Sequence, residues 1–166
     1  IGLASARAGN VIGGGDWAED RLVPDIIDSI LNRKKVLIRN PNAIRPWQHV
    51  LEPIFGYLRL AEKLSIDPQS YSEGWNFGPN QEDARSVQWI VQKLLDIWEI
   101  KDGWELDKNL SPHEAHYLKL DCSKSEERLK WPSILPLEES LEMISDWYKN
   151  YITSANMKEY CFQEIQ

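Results

Sequence analysis

Short apolar segments alternate with amphipathic segments along most of this chain. Residues 1–7, 36–39 and 74–77 are rich in apolar side chains over only a few positions, as buried strands are. Between and after them, apolar side chains recur every three or four positions, which is the period of an α-helix. The predicted helices are residues 22–31, 50–64, 86–98 and 137–151. Strands that alternate with helices in this way predict an α/β fold.

Several local signals refine this prediction. Residues 8–16 contain four of the nine glycines, which is typical of a turn. Residues 117–121 alternate in polarity and predict a strand. Ser123 and Glu126 have the spacing of a capping box, so a short helix is predicted there. The residues after Thr153 show only weak patterning.

Charge and composition exclude several classes of partner. The 166 residues carry 26 acidic and 19 basic side chains, a net charge of −7, and no basic stripe. Duplex nucleic acid and anionic membrane surfaces are therefore poor partners. The apolar runs are too short to cross a bilayer, no secretory signal is visible, and the two cysteines are typical of reduced thiols. We expect a cytoplasmic protein, and the initial Ile suggests a piece of a longer chain.

Arginines at the ends of predicted elements are the strongest functional signal. Arg7 and Arg39 end strands, Arg21 begins a helix, and Arg45 follows a turn. A guanidinium is a planar donor that matches phosphate oxygens and stays charged. Together these side chains could line one anionic pocket, although each alone is equally well explained as a solvated or ion-paired surface residue.

Other motifs carry weaker signals. The glycines at 13–15 could cradle a phosphate, but a turn explains them as well. His113 and His116 lack the spacing of a metal pair and fit a substrate-lining or structural loop, so no metal is predicted. Cys122 precedes a predicted helix, which could lower its pKa, but no partner base is evident and a structural role is preferred. His49 is expected to be half-buried and hydrogen-bonded.

Six sequence segments carry a family resemblance. They are residues 5–17, 20–24, 38–41, 44–50, 75–79 and 112–121, and the segment Ile-Arg-Pro-Trp at 44–47 is the most specific of them together with Arg7 and Asn10. Together they resemble the nucleotide-diphospho-sugar dehydratases of the extended short-chain dehydrogenase/reductase family. The resemblance extends to about residue 151. It implies the C-terminal, substrate-binding part of such an enzyme, with the last strands of its Rossmann sheet.

The resemblance also implies a division of the chain and a missing partner. Residues 1–152 would form the substrate-binding half, with 1–19 and 74–80 contributing Rossmann strands and turns, and 153–166 would form a tail. The NAD-binding glycine fingerprint and the catalytic Tyr-x-x-x-Lys are absent here, since no tyrosine is followed four places later by lysine. An N-terminal Rossmann half would therefore bind most of the NAD. No catalytic residue is assigned, and the chain alone is expected to be inactive.

Site residues follow from matching positions in the family. The resemblance implies substrate contacts for Asn10, Arg21, Leu22, Val36, Ile38, Arg39, Arg45, His113 and His116, and cofactor contacts for Ala8 and Gly9. Within that set, Asn10, Arg21 and Arg45 would bind the diphosphate, Arg21 and Leu22 would also approach the base, and the backbone of the strand containing Val36 and Ile38 would lie along the base. Arg39 matches the branch that acts on CDP-sugars, and His113 and His116 stand where related enzymes carry a phosphate-binding arginine.

The expected activity is the loss of water from a CDP-sugar, in the biosynthesis of O-antigen or lipopolysaccharide sugars. The family usually forms homo-oligomers. Two alternatives remain at this point: an epimerase or decarboxylase that acts on another sugar nucleotide, and a binding fragment without turnover. Unpaired strand edges in the isolated chain would favour aggregation or a stabilising partner.

Overall fold

The computed structural model describes residues 1–107 and 117–165. The strands in these residues are β1 (Ser5–Ala8), β2 (Asn10–Ile12), β3 (Val36–Ile38), β4 (Ile44–His49), β5 (Gly74–Phe77), β6 (Ala84–Ser86) and β7 (Trp104–Leu106). The helices are α1 (Leu22–Leu31), α2 (Leu51–Ile66), α3 (Pro68–Tyr71), α4 (Val87–Ile97), α5 (Ser123–Leu129), α6 (Leu137–Ile152) and α7 (Met157–Ile165). The predicted α/β class is confirmed.

The strands form three small sheets. β1 pairs in parallel with β5, and β3 pairs in parallel with β7. β4 is the centre of the third sheet, parallel to β2 on one side and antiparallel to β6 on the other. Each parallel pair is joined through helices, as parallel strands require. Consequently β1 and β2, which are almost continuous in sequence, belong to different sheets.

Some local predictions were wrong. The glycine-rich segment 8–16 contains β2, because residues 10–12 pair with β4. Residues 117–121 form no strand, and only Tyr117 makes an isolated bridge, to Ile44. The capping box is also absent: Asp121 accepts hydrogen bonds from the Ser123 N–H at 3.0 Å and from its hydroxyl at 2.7 Å, so Asp121 caps the chain before α5. The weakly patterned tail forms α7.

A large core lies between α1, α4 and α6. We call it the large core; its fully buried side chains include Ile26, Ile27, Ile90, Leu94 and Leu141. These residues recur at helical spacing on each helix, so the amphipathic faces that the sequence predicts are the faces that meet. β3 and β4 close this core from the side, which places the strand ends next to the first turn of α1.

A second cluster is smaller and lies under β1 and β5. We call it the small core, and it comprises Leu60, Trp75, Phe77, Leu129 and Trp131. The rings of Phe77 and Trp131 meet edge to face, with centroids 5.1 Å apart, and the Trp131 indole N–H donates to the Glu52 carbonyl at 3.2 Å. The buried Glu52 carboxylate accepts from two further backbone N–H groups, at 2.9 and 3.1 Å. The small core therefore fixes the loop that leads into α6.

Candidate functional site

Two adjoining hollows open between β2, the first turn of α1, β3 and β4. The first, of about 360 Å³, is lined by residues that include Asn10, Arg21 and Leu22. The second, of about 250 Å³, is lined by Asn10, Leu22, Arg39 and Arg45 among others. The two share Asn10, Asp20, Leu22 and Trp47, so they form one continuous groove. A groove of this size suits a small-molecule ligand, for which sites of about 300–1,000 Å³ are usual.

The fold brings most of the predicted substrate residues to this groove. Asn10 begins β2, Arg21 precedes α1, Arg39 follows β3 and Arg45 lies on β4. They come from distant parts of the sequence and meet because β2 pairs with β4 while α1 begins beside them. Arg7 differs from the other three arginines, since it is exposed on β1 and lies outside both hollows.

The residues of β3 have two different environments. The side chains of Val36 and Ile38 are buried in the large core, and Ile38 also borders the second hollow. The Val36 N–H donates to the Gly103 carbonyl, and the Ile38 carbonyl accepts from the Asp107 N–H, both at 2.8 Å. Leu37, between them, has a side chain that is 60% exposed and lines the second hollow.

The groove also contains carboxylates to which the sequence assigned no role. Asp16 and Asp20 line the first hollow, and Asp20 and Asp25 line the second. Asp16 and Asp20 belong to the family motifs, and Asp25 does not. No role was predicted for them because acidic residues at the start of a helix are already explained by the helix dipole. The available signal was that Asp20 and Asp25 lie close in sequence to Arg21, a residue the sequence did indicate.

Carboxylates hold two of the arginines. Arg21 contacts Asp16 at 3.0 Å, and Arg39 contacts Asp20 at 3.4 Å and Asp107 at 3.9 Å. The arginine side chains in these pairs are more than half exposed. Exposed ion pairs of this kind contribute only about 0–1 kcal/mol. An incoming diphosphate, with two charges and more acceptor oxygens, could therefore replace the carboxylates as the partner of these guanidinium groups.

The pKa of one groove carboxyl departs from its usual range. Partial burial raises the pKa of Asp25, the repulsion from Asp20 raises it further, and the positive charge of Arg39 opposes both effects. The negative charges of Asp20 and Asp28 and the positive charge of Arg39 thus act on Asp25 in opposite directions. A hydrogen-bond donor on a ligand would stabilise its charged form.

Gly9 and Ala8, the predicted cofactor contacts, lie at the end of β1. The Gly9 N–H donates to the Phe77 carbonyl at 3.2 Å. A Cβ at Gly9 would lie 2.4 Å from the Pro46 carbonyl oxygen, so glycine is needed there for the close approach of β4. This packing accounts for Gly9 independently of any cofactor.

The glycines at 13–15 have a packing role. A Cβ on Gly14 would lie 2.2 Å from the Trp147 ring, and Gly15 adopts a φ of +78°, which favours glycine. The Tyr148 hydroxyl donates to the Asp16 carbonyl at 2.5 Å, and burial raises the pKa of this tyrosine to about 12. Helix α6 therefore anchors the loop that carries Asp16 to the groove.

The remaining candidates have no evident role in the groove. Burial raises the pKa of Cys122 to about 11, so the suggestion that a helix end lowers it was wrong. His49 is buried rather than half-buried, and its Nδ1 accepts from the Leu51 N–H at 3.4 Å. His113 and His116 lie outside the described residues. In residues 1–107 and 117–165, no cluster of three or more acidic, His or Cys side chains could hold a metal ion, and no helix is long and apolar enough to cross a membrane.

Known proteins match both the sequence and the fold of this chain. The chain is 54% identical over 157 residues, 95% of its length, to CDP-glucose 4,6-dehydratase of Salmonella typhimurium. The predicted resemblance is confirmed. The chain spans 44% of the length of that enzyme. No protein-family model matches the chain.

Solved structures show the same fold at low identity. A dTDP-glucose 4,6-dehydratase from Bacillus anthracis, in complex with NAD, matches with a TM-score of 0.74 at 15% identity, over 92% of this chain and 46% of that one. A UDP-glucose 4-epimerase from Thermotoga maritima, with UDP-glucose, matches with a TM-score of 0.76 at 20% identity, over 90% and 46%. The fold is therefore that of the nucleotide-sugar epimerases and dehydratases, as the resemblance implied.

Proposed function

We propose that this chain is the nucleotide-sugar-binding portion of a CDP-glucose 4,6-dehydratase. The observation that carries the proposal is the 54% identity to the Salmonella typhimurium enzyme across 95% of the chain. The groove supports it, because Asn10, Arg21 and Arg45 come together there from separate elements. The nucleotide-sugar diphosphate needs cationic and amide donors of this kind.

The groove would bind and orient the substrate. Arg45 and Arg21 would neutralise the diphosphate, and the amide of Asn10, which lines both hollows, would donate to the oxygens between them. Each charge-assisted hydrogen bond contributes about 1.5–3 kcal/mol. Binding at the nucleotide end would hold the sugar in a fixed position against the cofactor, where proximity lowers the barrier to reaction.

The cofactor would contact this chain only at its edge. The ends of β1 and β5 lie side by side, and ligands of doubly wound sheets bind beyond the carboxyl ends of such strands. Ala8 and Gly9 occupy this position, which fits the border of an NAD site. In the proposed reaction CDP-glucose loses water to give CDP-4-dehydro-6-deoxy-glucose, and bound NAD supplies the carrier for the hydride that leaves C4 and returns to C6.

The catalytic groups and most of the NAD site would belong to an N-terminal half. It would find apolar surface to pack on, because Ile1 and Leu3, just before β1, and Phe55 and Leu58, on α2, are exposed. In this proposal residues 1–152 form the substrate-binding half and 153–166 the C-terminal tail of a cytoplasmic enzyme that forms a homo-oligomer. The isolated chain would bind nucleotide sugar without turning it over.

Isothermal titration calorimetry with CDP-glucose tests the proposal on this chain. We expect binding by the wild-type chain and an affinity reduced by roughly 10- to 100-fold in Arg45→Gln, because one charged contact to the diphosphate is lost. Arg33→Gln is the matched control, since Arg33 is exposed at the end of α1, outside both hollows. A folded chain that binds no CDP-glucose, or an equal loss in the two variants, would contradict the proposed function.

A further inference from the structure

The second hollow is lined by two kinds of side chain. From β2 and β4 come the donors Asn10 and Arg45. At the end formed by the first turn of α1 and β3 are the exposed Leu37, the guanidinium of Arg39, and the carboxylates of Asp20 and Asp25. This end is largely charged, and Leu37 gives it one apolar surface on which a planar heterocycle could lie with its edge toward the charged groups.

The carboxylates at this end need an explanation in a groove for an anion. Asp20 is held by Arg39 at 3.4 Å, so its charge is balanced within the chain. Asp25 lies in the first turn of α1 and is electrostatically coupled to both Asp20 and Arg39. A carboxylate in this position stabilises the start of the helix, but it would repel a diphosphate placed beside it, whereas it would attract a ligand group that donates a hydrogen bond.

The chemistry of the two side chains selects among pyrimidines. An ionised carboxylate only accepts hydrogen bonds and a guanidinium only donates them. Cytosine presents an amino donor at N4 beside an acceptor at N3, whereas uracil and thymine present an acceptor at O4 beside a donor N–H. An acceptor next to a donor therefore complements cytosine and opposes the other two bases.

We propose that Asp25 is the residue that determines base specificity, by accepting a hydrogen bond from the cytosine amino group while Arg39 donates to the ring. This inference rests on the proposed function, because it requires a nucleoside diphosphate in the groove. It assigns a role to a carboxylate that none of the family motifs contains. Arg39, whose positive charge favours the ionised form of Asp25, lines the same hollow and supports this role.

Competition between nucleoside diphosphates tests the inference. We expect CDP to bind the wild-type chain more tightly than UDP by roughly 5- to 100-fold, the discrimination that one well-formed base contact supplies. Asp25→Asn should reduce this ratio to near one, because the amide can donate to O4 of uracil as readily as it accepts from cytosine. Asp28→Asn is the matched control, since Asp28 lies one turn along the same helix, bonded to Asn32 and outside both hollows. Its charge also repels Asp25, so this variant changes the local charge without removing an acceptor from the groove.

The outcomes separate the two proposals. A ratio that falls in Asp25→Asn and persists in Asp28→Asn supports the inference. Equal binding of CDP and UDP by the wild-type chain, or a preference that Asp25→Asn retains, overturns the inference and leaves the proposed function standing. A folded wild-type chain that binds neither nucleotide overturns both. Should Asp25→Asn melt at a much lower temperature than the wild type, Asp25→Ser, whose hydroxyl both donates and accepts, gives the same test.

Discussion

The large core and the small core differ in how completely each is enclosed. α1, α4 and α6 surround the large core on several sides, and their apolar faces meet one another. The small core has five buried residues and is covered only on the side of α2, α5 and the loop before α6. Its β1 strand is exposed at three of four positions. The groove is built on the enclosed region, and the open region carries the two-stranded sheet of β1 and β5.

This difference explains why the groove can form in a chain that spans less than half the length of the relatives it matches. Every element that lines the two hollows is either in the large core or attached to it. The exposed apolar residues concentrate elsewhere, on the outer face of α2, where Ile54, Phe55, Leu58 and Ile66 are all at least 45% exposed. A surface of this kind marks a place where another protein segment packs.

The largest expected effect comes from opening the small core. Trp131 is fully buried, and Trp131→Ala should lower the free energy of unfolding by about 3–5 kcal/mol, because a large ring and its hydrogen bond to Glu52 are lost. Urea denaturation followed by circular dichroism measures it. Trp17→Ala is the control, since Trp17 is 49% exposed. Equal losses in the two variants would show that the small core contributes no special stability.

An intermediate effect on stability is expected when the pH is lowered, because of the buried His49. His49 ends β4, and burial lowers its pKa to about 4 from an ordinary value of 6.5. The folded chain keeps this histidine neutral between these values, whereas the unfolded chain protonates it. The free energy of unfolding should therefore fall as the pH falls from 6.5 to 4, by up to about 3 kcal/mol.

Urea denaturation at a series of pH values checks this expectation against His49→Gln. Protonation of carboxyl groups with lowered pKa values, such as Glu73 and Glu138, also reduces the free energy of unfolding in acid. That contribution is the same in the wild type and in His49→Gln. The difference between the two curves isolates the histidine. Parallel curves between pH 6.5 and 4 would mean that His49 is protonated in the folded chain.

The smallest effect on stability should come from the exposed face of α2. Leu58→Lys should change the free energy of unfolding by no more than about 0.5 kcal/mol, because the side chain is 66% exposed. The same substitution should reduce self-association, measured by light scattering, because it interrupts the apolar surface. Leu60→Lys, two residues away and 5% exposed, is the matched change that should unfold the chain. A large loss of stability in Leu58→Lys would show that this face is already covered.

Local signals in the sequence were sufficient for the long helices. α1, α2, α4 and α6 follow the apolar periodicity. The first residue of the predicted helix 86–98 caps α4, since the Ser86 hydroxyl accepts from the Trp89 N–H at 3.3 Å. The short elements β2, β6 and α7 were not predicted. A strand of three residues has little pattern of its own, and its existence depends on a partner far away in sequence.

In the groove, too, some residues could be predicted from the sequence and others could not. Asn10, Arg21, Arg39 and Arg45 were indicated by residue type and family motif. Asp25 was not, because its place in the first turn of α1 has a local explanation, and only packing against β3 and Arg39 gives it a second one.

The sequence by itself determined the α/β class, the principal helices and the kind of ligand that the arginines could bind, since each depends on side-chain chemistry or on spacing within one segment. The tertiary structure alone decided which arginines share a groove, why Gly9 and Gly14 must be glycine, and which region lacks a cover. Those properties arise from contacts between residues distant in the chain, and such contacts exist only once parallel strands have paired and the helices have packed across them.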